Sequence, residues 1–163
     1  ESGSEIASHT YDHPNLTQLS GDRLKYQLSR VNELVGKLTD QQVSVKTLRP
    51  PYGAVSEQVR EAADTPLILW SMDTLDWKTR NAQKTIRHVL ENVEDGDIIL
   101  MHDIHAESAD AAVAIIPQLT SMGYQLVTVQ ELMQAKGLEL LPGQKIFSGN
   151  PASHGSSVML TDQ

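Results

Sequence analysis

The sequence predicts an α/β protein with parallel strands. Three observations carry the prediction. Short apolar runs of strand length alternate with longer stretches whose apolar residues recur at helical spacing. The run Asp97 to His102, centred on Ile98-Ile99-Leu100-Met101, is apolar nearly throughout, as a parallel strand covered on both faces would be. The chain has 163 residues with 39% hydrophobic content, enough for one ordinary domain with a real core.

The elements follow in order. Ser20 is placed to cap a helix whose face is Leu24, Leu28, Val31, Val35 and Leu38, at alternating spacings of four and three. Thr47-Leu48-Arg49 reads as a short strand ended by Pro50-Pro51. Ser56 caps a short helix containing Val59 and Ala63. Leu67 to Trp70 reads as a buried strand. Asn81 caps a helix with Ala82, Ile86, Val89, Leu90 and Val93 inward, ended at Asp95-Gly96. After the 97–102 strand, Ala109, Ala112, Val113, Ile116 and Leu119 mark a helix stopped at Gly123, with a kink or early break expected at Pro117. Gln125 to Val129 reads as the last strand, and Glu131 to Ala135 as a closing helix. The domain boundary falls at 136/137. Residues 137–163 read as a partly irregular C-terminal extension, because Pro142-Gly143, Gly149-Asn150-Pro151 and Gly155-Ser156-Ser157 are turn signals.

The formal net charge of −8 argues against nucleic acid and anionic membranes as partners and suits a neutral or cationic ligand. No cysteine is present, which excludes disulfides, thiolate zinc sites and cysteine nucleophiles. No stretch approaches the roughly 20 apolar residues of a membrane span. The opening Glu1-Ser2-Gly3-Ser4-Glu5-Ile6 reads as the middle of a protein.

The run Ser8-His9-Thr10-Tyr11-Asp12-His13-Pro14 holds two imidazoles three residues apart. In a helical or tightly turned backbone they converge on one metal. Zinc binds imidazole nitrogen at about 2.0–2.1 Å, and a catalytic zinc usually takes three protein ligands, of which this run supplies two. Surface or capping histidines are the plainer alternative. Asp12 between them reads as a supporting or solvated carboxylate, not a ligand. Arg49-Pro50-Pro51-Tyr52-Gly53 is by itself a turn. Asp73 and Asp76 are by themselves helix caps or solvated loop residues. Trp70 reads as core and Trp77 as cleft. His102, at the end of an apolar strand, is the strongest functional residue on physical grounds, since a buried titratable ring needs a partner. His88, His105 and His154 read as solvated.

The four sequences Ser8–Pro14, Arg49–Gly53, Asp73-Thr74-Leu75-Asp76-Trp77 and Leu100-Met101-His102-Asp103 stand in one order, each at or just after a predicted strand end. The set resembles the polysaccharide deacetylases of the NodB-homology type (carbohydrate esterase family 4). In style it is nearest the bacterial peptidoglycan N-acetylglucosamine deacetylases, over roughly residues 3 to 133. The resemblance implies a distorted (β/α) barrel and a metal, Zn2+ or another divalent ion such as Co2+, Ni2+ or Mn2+. It makes His9 and His13 metal ligands and His102 the general acid, held by Asp73. Arg49 would orient the catalytic base, and Tyr52 would give its backbone N–H to the oxyanion. Tyr52, Trp77 and Leu100 would shape the substrate pocket. The implied reaction is removal of N-acetyl groups from GlcNAc in a cell-wall glycan by an exported, cell-surface protein. O-deacetylation of acetyl-xylan and non-catalytic glycan binding are the alternatives.

The chain departs from the family in one place. The Thr-Phe-Asp-Asp-Gly-Pro motif, which supplies the base and the third metal ligand, is absent, and no Asp-Asp pair occurs. Two βα units, roughly 60 residues, are missing. The expectation is a C-terminal piece of a catalytic domain, lacking N-terminal strands that a separate N-terminal fragment of the same domain supplies as a partner chain.

Overall fold

The structure, a computed structural model, describes residues 3–150. His154, Pro151 and Gly155-Ser156-Ser157 lie outside the described residues. The chain forms two compact units. The first runs to Leu69 and takes in Gly137–Ile146; the second covers Trp70–Lys136 and resumes at Phe147.

In the first unit, extended segments pair in parallel. Ser8 bridges Leu48, and Leu48 bridges Leu67. Strand β1 (Leu67–Ile68) then pairs with a partner at Lys145–Ile146, Leu67 opposite Lys145. Thr47-Leu48-Arg49 is therefore a single bridge position, with Leu48 donating to Pro66 O at 3.0 Å and accepting from Ile68 N at 2.7 Å. Helix α1 (Gly21–Leu38) begins after Ser20, whose backbone is extended but whose side chain makes no capping bond. Its buried positions are Leu24, Gln27 and Gly36, while Leu38 is 84% exposed. The predicted face thus ran one turn too far. In α2 (Glu57–Ala62), Ser56 Oγ accepts from Val59 N at 3.3 Å, as its sequence predicts. Leu16, Leu24, Leu48, Val59, Ala63 and Leu67 form the core that fixes these elements.

Gly137–Ile146, expected in an irregular extension, returns to this unit. Leu69 N donates to Ile146 O at 2.7 Å, and Arg60 Nε to Gly143 O at 3.2 Å. Gly143 sits at φ +68, and a Cβ there would lie 2.2 Å from Arg60 O. Gly143→Ala is expected to destabilise by more than the roughly 1–2 kcal/mol that left-handed backbone costs an alanine. A lowered denaturant midpoint would show it; an unchanged midpoint would mean that the return segment adds no stability.

In the second unit, β2 (Met72–Asp73) pairs in parallel with β3 (Ile99–Leu100). Numbering the Lys145–Ile146 strand β4 completes the set. Helices α3 (Asp76–Thr79) and α4 (Ala82–Asn92) lie between β2 and β3 in sequence, and α5 (Ala106–Ser121) and α6 (Val129–Ala135) follow β3. Asn81 Oδ1 caps α4 through Lys84 N at 2.9 Å. Met72, Val89, Ala111, Ile115 and Leu119 form the core, with Ile86, Leu90 and Val93 against it.

Several expectations change here. On α5 the inward face is Ser108, Ala111, Ile115 and Leu119, whereas Val113 and Ile116 are 75% and 49% exposed. The apolar residues of this helix are spread around its circumference, so sequence spacing alone does not select the face. The helix also continues past Pro117 to Ser121. Trp70 is half-buried, not core. Gln125–Val129 forms no strand: Leu126 and Val127 are 52% and 47% exposed, and Val129 opens α6. The reason is a missing partner. Among the described residues nothing hydrogen-bonds the backbone of Gln125, Leu126 or Val127, and β propensity without a ladder makes no strand. The Thr128–Glu131 capping box instead commits the following residues to helix. Among the described residues no helix is long and apolar enough to cross a membrane.

Candidate active site

The side chains singled out by the sequence fall into two sets, one in each unit. In the first unit the His9–His13 run is a tight turn. Thr10 and His13 both take left-handed backbone, at φ 65 and 56. That conformation is costly for a β-branched residue. Hydrogen bonds hold it. Thr10 N donates to Ser8 Oγ at 3.2 Å, and His13 N to Thr10 Oγ1 at 3.1 Å. Tyr11 N and Asp12 N both donate to Gln27 Oε1, at 3.1 and 3.0 Å, and Gln27 Nε2 donates to Asp12 Oδ2 at 2.7 Å.

This turn brings His9 Nε2 and His13 Nε2 to 3.1 Å. Two nitrogens on one tetrahedral ion at about 2.0–2.1 Å each would stand about 3.3 Å apart. His9 Nδ1 lies 2.6 Å from Arg49 O, so its N–H donates there and Nε2 keeps the lone pair. A backbone carbonyl setting the tautomer in this way is the usual support of a metal-binding histidine. The donor chemistry therefore fits a divalent metal. Among the described residues no group of three or more His, Asp or Glu gathers there.

Arg49, far off in sequence, is brought beside this pair by its backbone, its N–H donating to Ser8 O at 2.8 Å. Burial pushes its guanidinium below the usual arginine value, and its buried Nε has no hydrogen-bond partner among the described residues. Tyr52 lies in the turn Pro51–Gly53 at φ 60 and is 64% exposed. Its ring packs edge-on to His13, centroids 4.8 Å apart. Its backbone N–H has no partner among the described residues.

In the second unit the holder of His102 is Asp76, not Asp73. Asp76 Oδ1 accepts a hydrogen bond from His102 Nδ1 at 2.8 Å. Asp76 Oδ2 accepts from His102 N and Ser108 Oγ, both at 2.6 Å. Asp73 instead turns back on its own backbone, accepting from Leu75 N at 2.9 Å. That bond supports Leu75 in left-handed conformation, φ 52, and the bend starts α3 with Asp76 turned inward. Asp76 is 2% exposed. Leu100, expected in the pocket wall, is buried, and its carbonyl accepts from Thr74 Oγ1 at 2.8 Å. Trp77 is 47% exposed. His88 is exposed as expected; His105 is half-buried and stands at the N-cap of α5.

Burial by itself would raise the Asp76 carboxyl. The bonds from Ser108, His102 and Trp77 N outweigh it and hold the group below the usual carboxylate value. The stabilisation is therefore complete above about pH 4, the unfolded value, and fades as pH falls through the lowered folded one. Acid unfolding should show this, and Asp76→Asn should flatten the pH dependence in that range. Identical slopes in the two proteins would mean that the network contributes nothing to folding.

The sequence reading missed Gln27 and Ser108. Gln27 is a polar residue at the inner-face spacing of Leu24, and Ser108 sits at the inner-face spacing of Ala111. A polar side chain on an apolar stripe is the signal that was available.

Residues 1–66 match the family model described as polysaccharide deacetylase. The peptidoglycan-N-acetylglucosamine deacetylase PgdA of Listeria monocytogenes is 42% identical over 147 residues, covering 90% of this chain and 30% of its own length. The peptidoglycan-N-acetylmuramic acid deacetylase PdaC of Bacillus subtilis is 38% identical over 134 residues, covering 82% and 28%. The chain thus spans less than a third of these two relatives. A solved structure described as T48 deacetylase with substrate superposes with a TM-score of 0.80 at 38% identity, over 87% of this chain and 69% of that one. With its motif residues placed in both units and this likeness covering most of its length, the chain belongs to the polysaccharide deacetylase family.

Proposed function

We propose that this chain is the C-terminal part of a (β/α)-barrel catalytic domain that removes N-acetyl groups from GlcNAc residues of peptidoglycan at the cell surface. The observation that carries the reading is the His9–His13 pair, with Nε2 atoms 3.1 Å apart and the His9 tautomer set by Arg49 O. His9 and His13 would hold Zn2+, or Co2+, Ni2+ or Mn2+ in its place, since mixed nitrogen–oxygen sites accept several divalent ions. When bound, such a metal lowers the pKa of a water towards about 7 and polarises the acetyl carbonyl.

The chain's own residues do the rest. The Tyr52 N–H donates to the oxyanion, and loss of a donor of this kind costs about 3 kcal/mol. His102 protonates the departing amine, because an amide anion is a very poor leaving group. Asp76 fixes the ring so that Nε2 faces outward from the Asp76 contact. The base that takes the water proton and the third metal ligand come from an N-terminal fragment of the same domain, a separate chain. The buried Arg49 Nε, without a partner among the described residues, supports this, since a desolvated guanidinium calls for a carboxylate. Trp77, 47% exposed, supplies an apolar face for the sugar.

A second reading, a glycan-binding relative without catalysis, draws on the absence, among the described residues, of a group of three ligands. Acetate release by the full-length protein from N-acetylated glycan strands and from acetylated xylan decides among the readings. Release from the first supports N-deacetylation, and release from xylan alone supports O-deacetylation. Binding with no release from either makes the protein non-catalytic.

A further inference from the structure

The His9–His13 turn contains two residues in left-handed conformation, and only part of its restraint is local. Ser8 and Thr10 bond within the run itself. Gln27 comes from outside, on α1, and is 8% exposed. Its one amide uses both ends: Oε1 takes the N–H groups of Tyr11 and Asp12, and Nε2 returns to the Asp12 carboxylate. Those two backbone N–H groups lie between the histidines and face no other partner among the described residues. An amide is suited to this task. It accepts from the backbone and donates to a carboxylate at once, which neither an apolar side chain nor a carboxylate can do. The residue also stands on a helix whose Leu24 belongs to the core, so the turn is tied to a fixed element.

We propose that Gln27 is the positioning residue that presets the His9–His13 turn for its metal and thereby sets the affinity of the site for divalent cations. This rests on the metal reading above. Without the Gln27 amide, the Tyr11–Asp12 backbone returns to water and the turn relaxes. The two Nε2 atoms then converge only at the moment of binding, and the ordering cost weakens the metal. Supporting groups of this kind are worth about 10–100-fold in metal affinity.

The test is made on the full-length protein, with Zn2+ affinity read by competition with a chromophoric chelator and the Co2+ absorption spectrum reporting geometry. Gln27→Met keeps length and helix preference while removing donor and acceptor. It is expected to bind Zn2+ about 10–100-fold more weakly, with an altered Co2+ spectrum and a metal-free Tm close to wild type. The exchanged pair Gln27→Glu with Asp12→Asn restores the contacts with donor and acceptor reversed at the same net charge, and should bind near wild type. Wild-type affinity in folded Gln27→Met overturns the proposal. If Gln27→Met fails to fold, the comparison of Gln27→Glu alone with the exchanged pair decides. The single variant adds a negative charge that favours cations, so tighter binding by the pair supports the proposal, and equal or weaker binding overturns it. Failure of the wild type itself to take up Zn2+ or Co2+ removes the metal reading and this role with it.

Discussion

Replacing His102 with Ala is expected to cut deacetylation by about 10²–10⁴-fold while leaving metal binding unchanged. The ring is the only proton source assigned to the departing amine, and its Nδ1 is committed to Asp76. Asp76→Asn should fall in the same range for a different reason. The new amide can place its oxygen against His102 N and Ser108 Oγ, but then its NH2 faces Nδ1. An imidazolium needs N–H on both nitrogens and cannot be accommodated there. Metal content and a circular-dichroism spectrum unchanged from the wild type separate this from simple misfolding. Asp76→Asn should also cost roughly 1–3 kcal/mol if the His102 backbone donor is left unmatched. Full activity in His102→Ala would remove the assigned acid altogether.

The second large effect concerns His9 and His13. Alanine at either position should abolish stoichiometric metal uptake and activity together. Removing a ligand outright should exceed the roughly 10–100-fold that removal of a supporting group costs. Chelation of the wild type should reproduce the loss, and added Zn2+ or Co2+ should restore activity to the wild type but not to the variants. Metal content measured after desalting checks the binding half independently of turnover. A His13→Ala protein that still carries one metal per chain would show that the 3.1 Å approach of the two rings is packing without coordination.

Residue spacing was enough to make His9, His13 and His102 candidates, and capping patterns were enough to place the starts of α2 and α4. Those features are local. An N-cap concerns four residues, and an x3 gap concerns five. The partner of His102 was not legible, because Asp73 and Asp76 are equivalent in a linear pattern. A left-handed Leu75, supported by Asp73 itself, turns Asp76 towards the ring. The strand at Gln125–Val129 failed for the related reason that a strand is a property of a pair. The alternation of elements determined an α/β chain with parallel pairing, and the motifs determined the family. Only the tertiary structure decided which carboxylate holds His102, which amide holds the His9–His13 turn, and that Gly137–Ile146 returns to pair with β1. Each of those is a contact between residues far apart in sequence, or a choice between chemically identical neighbours. Such outcomes are set by backbone direction and packing, and neither is written in residue type.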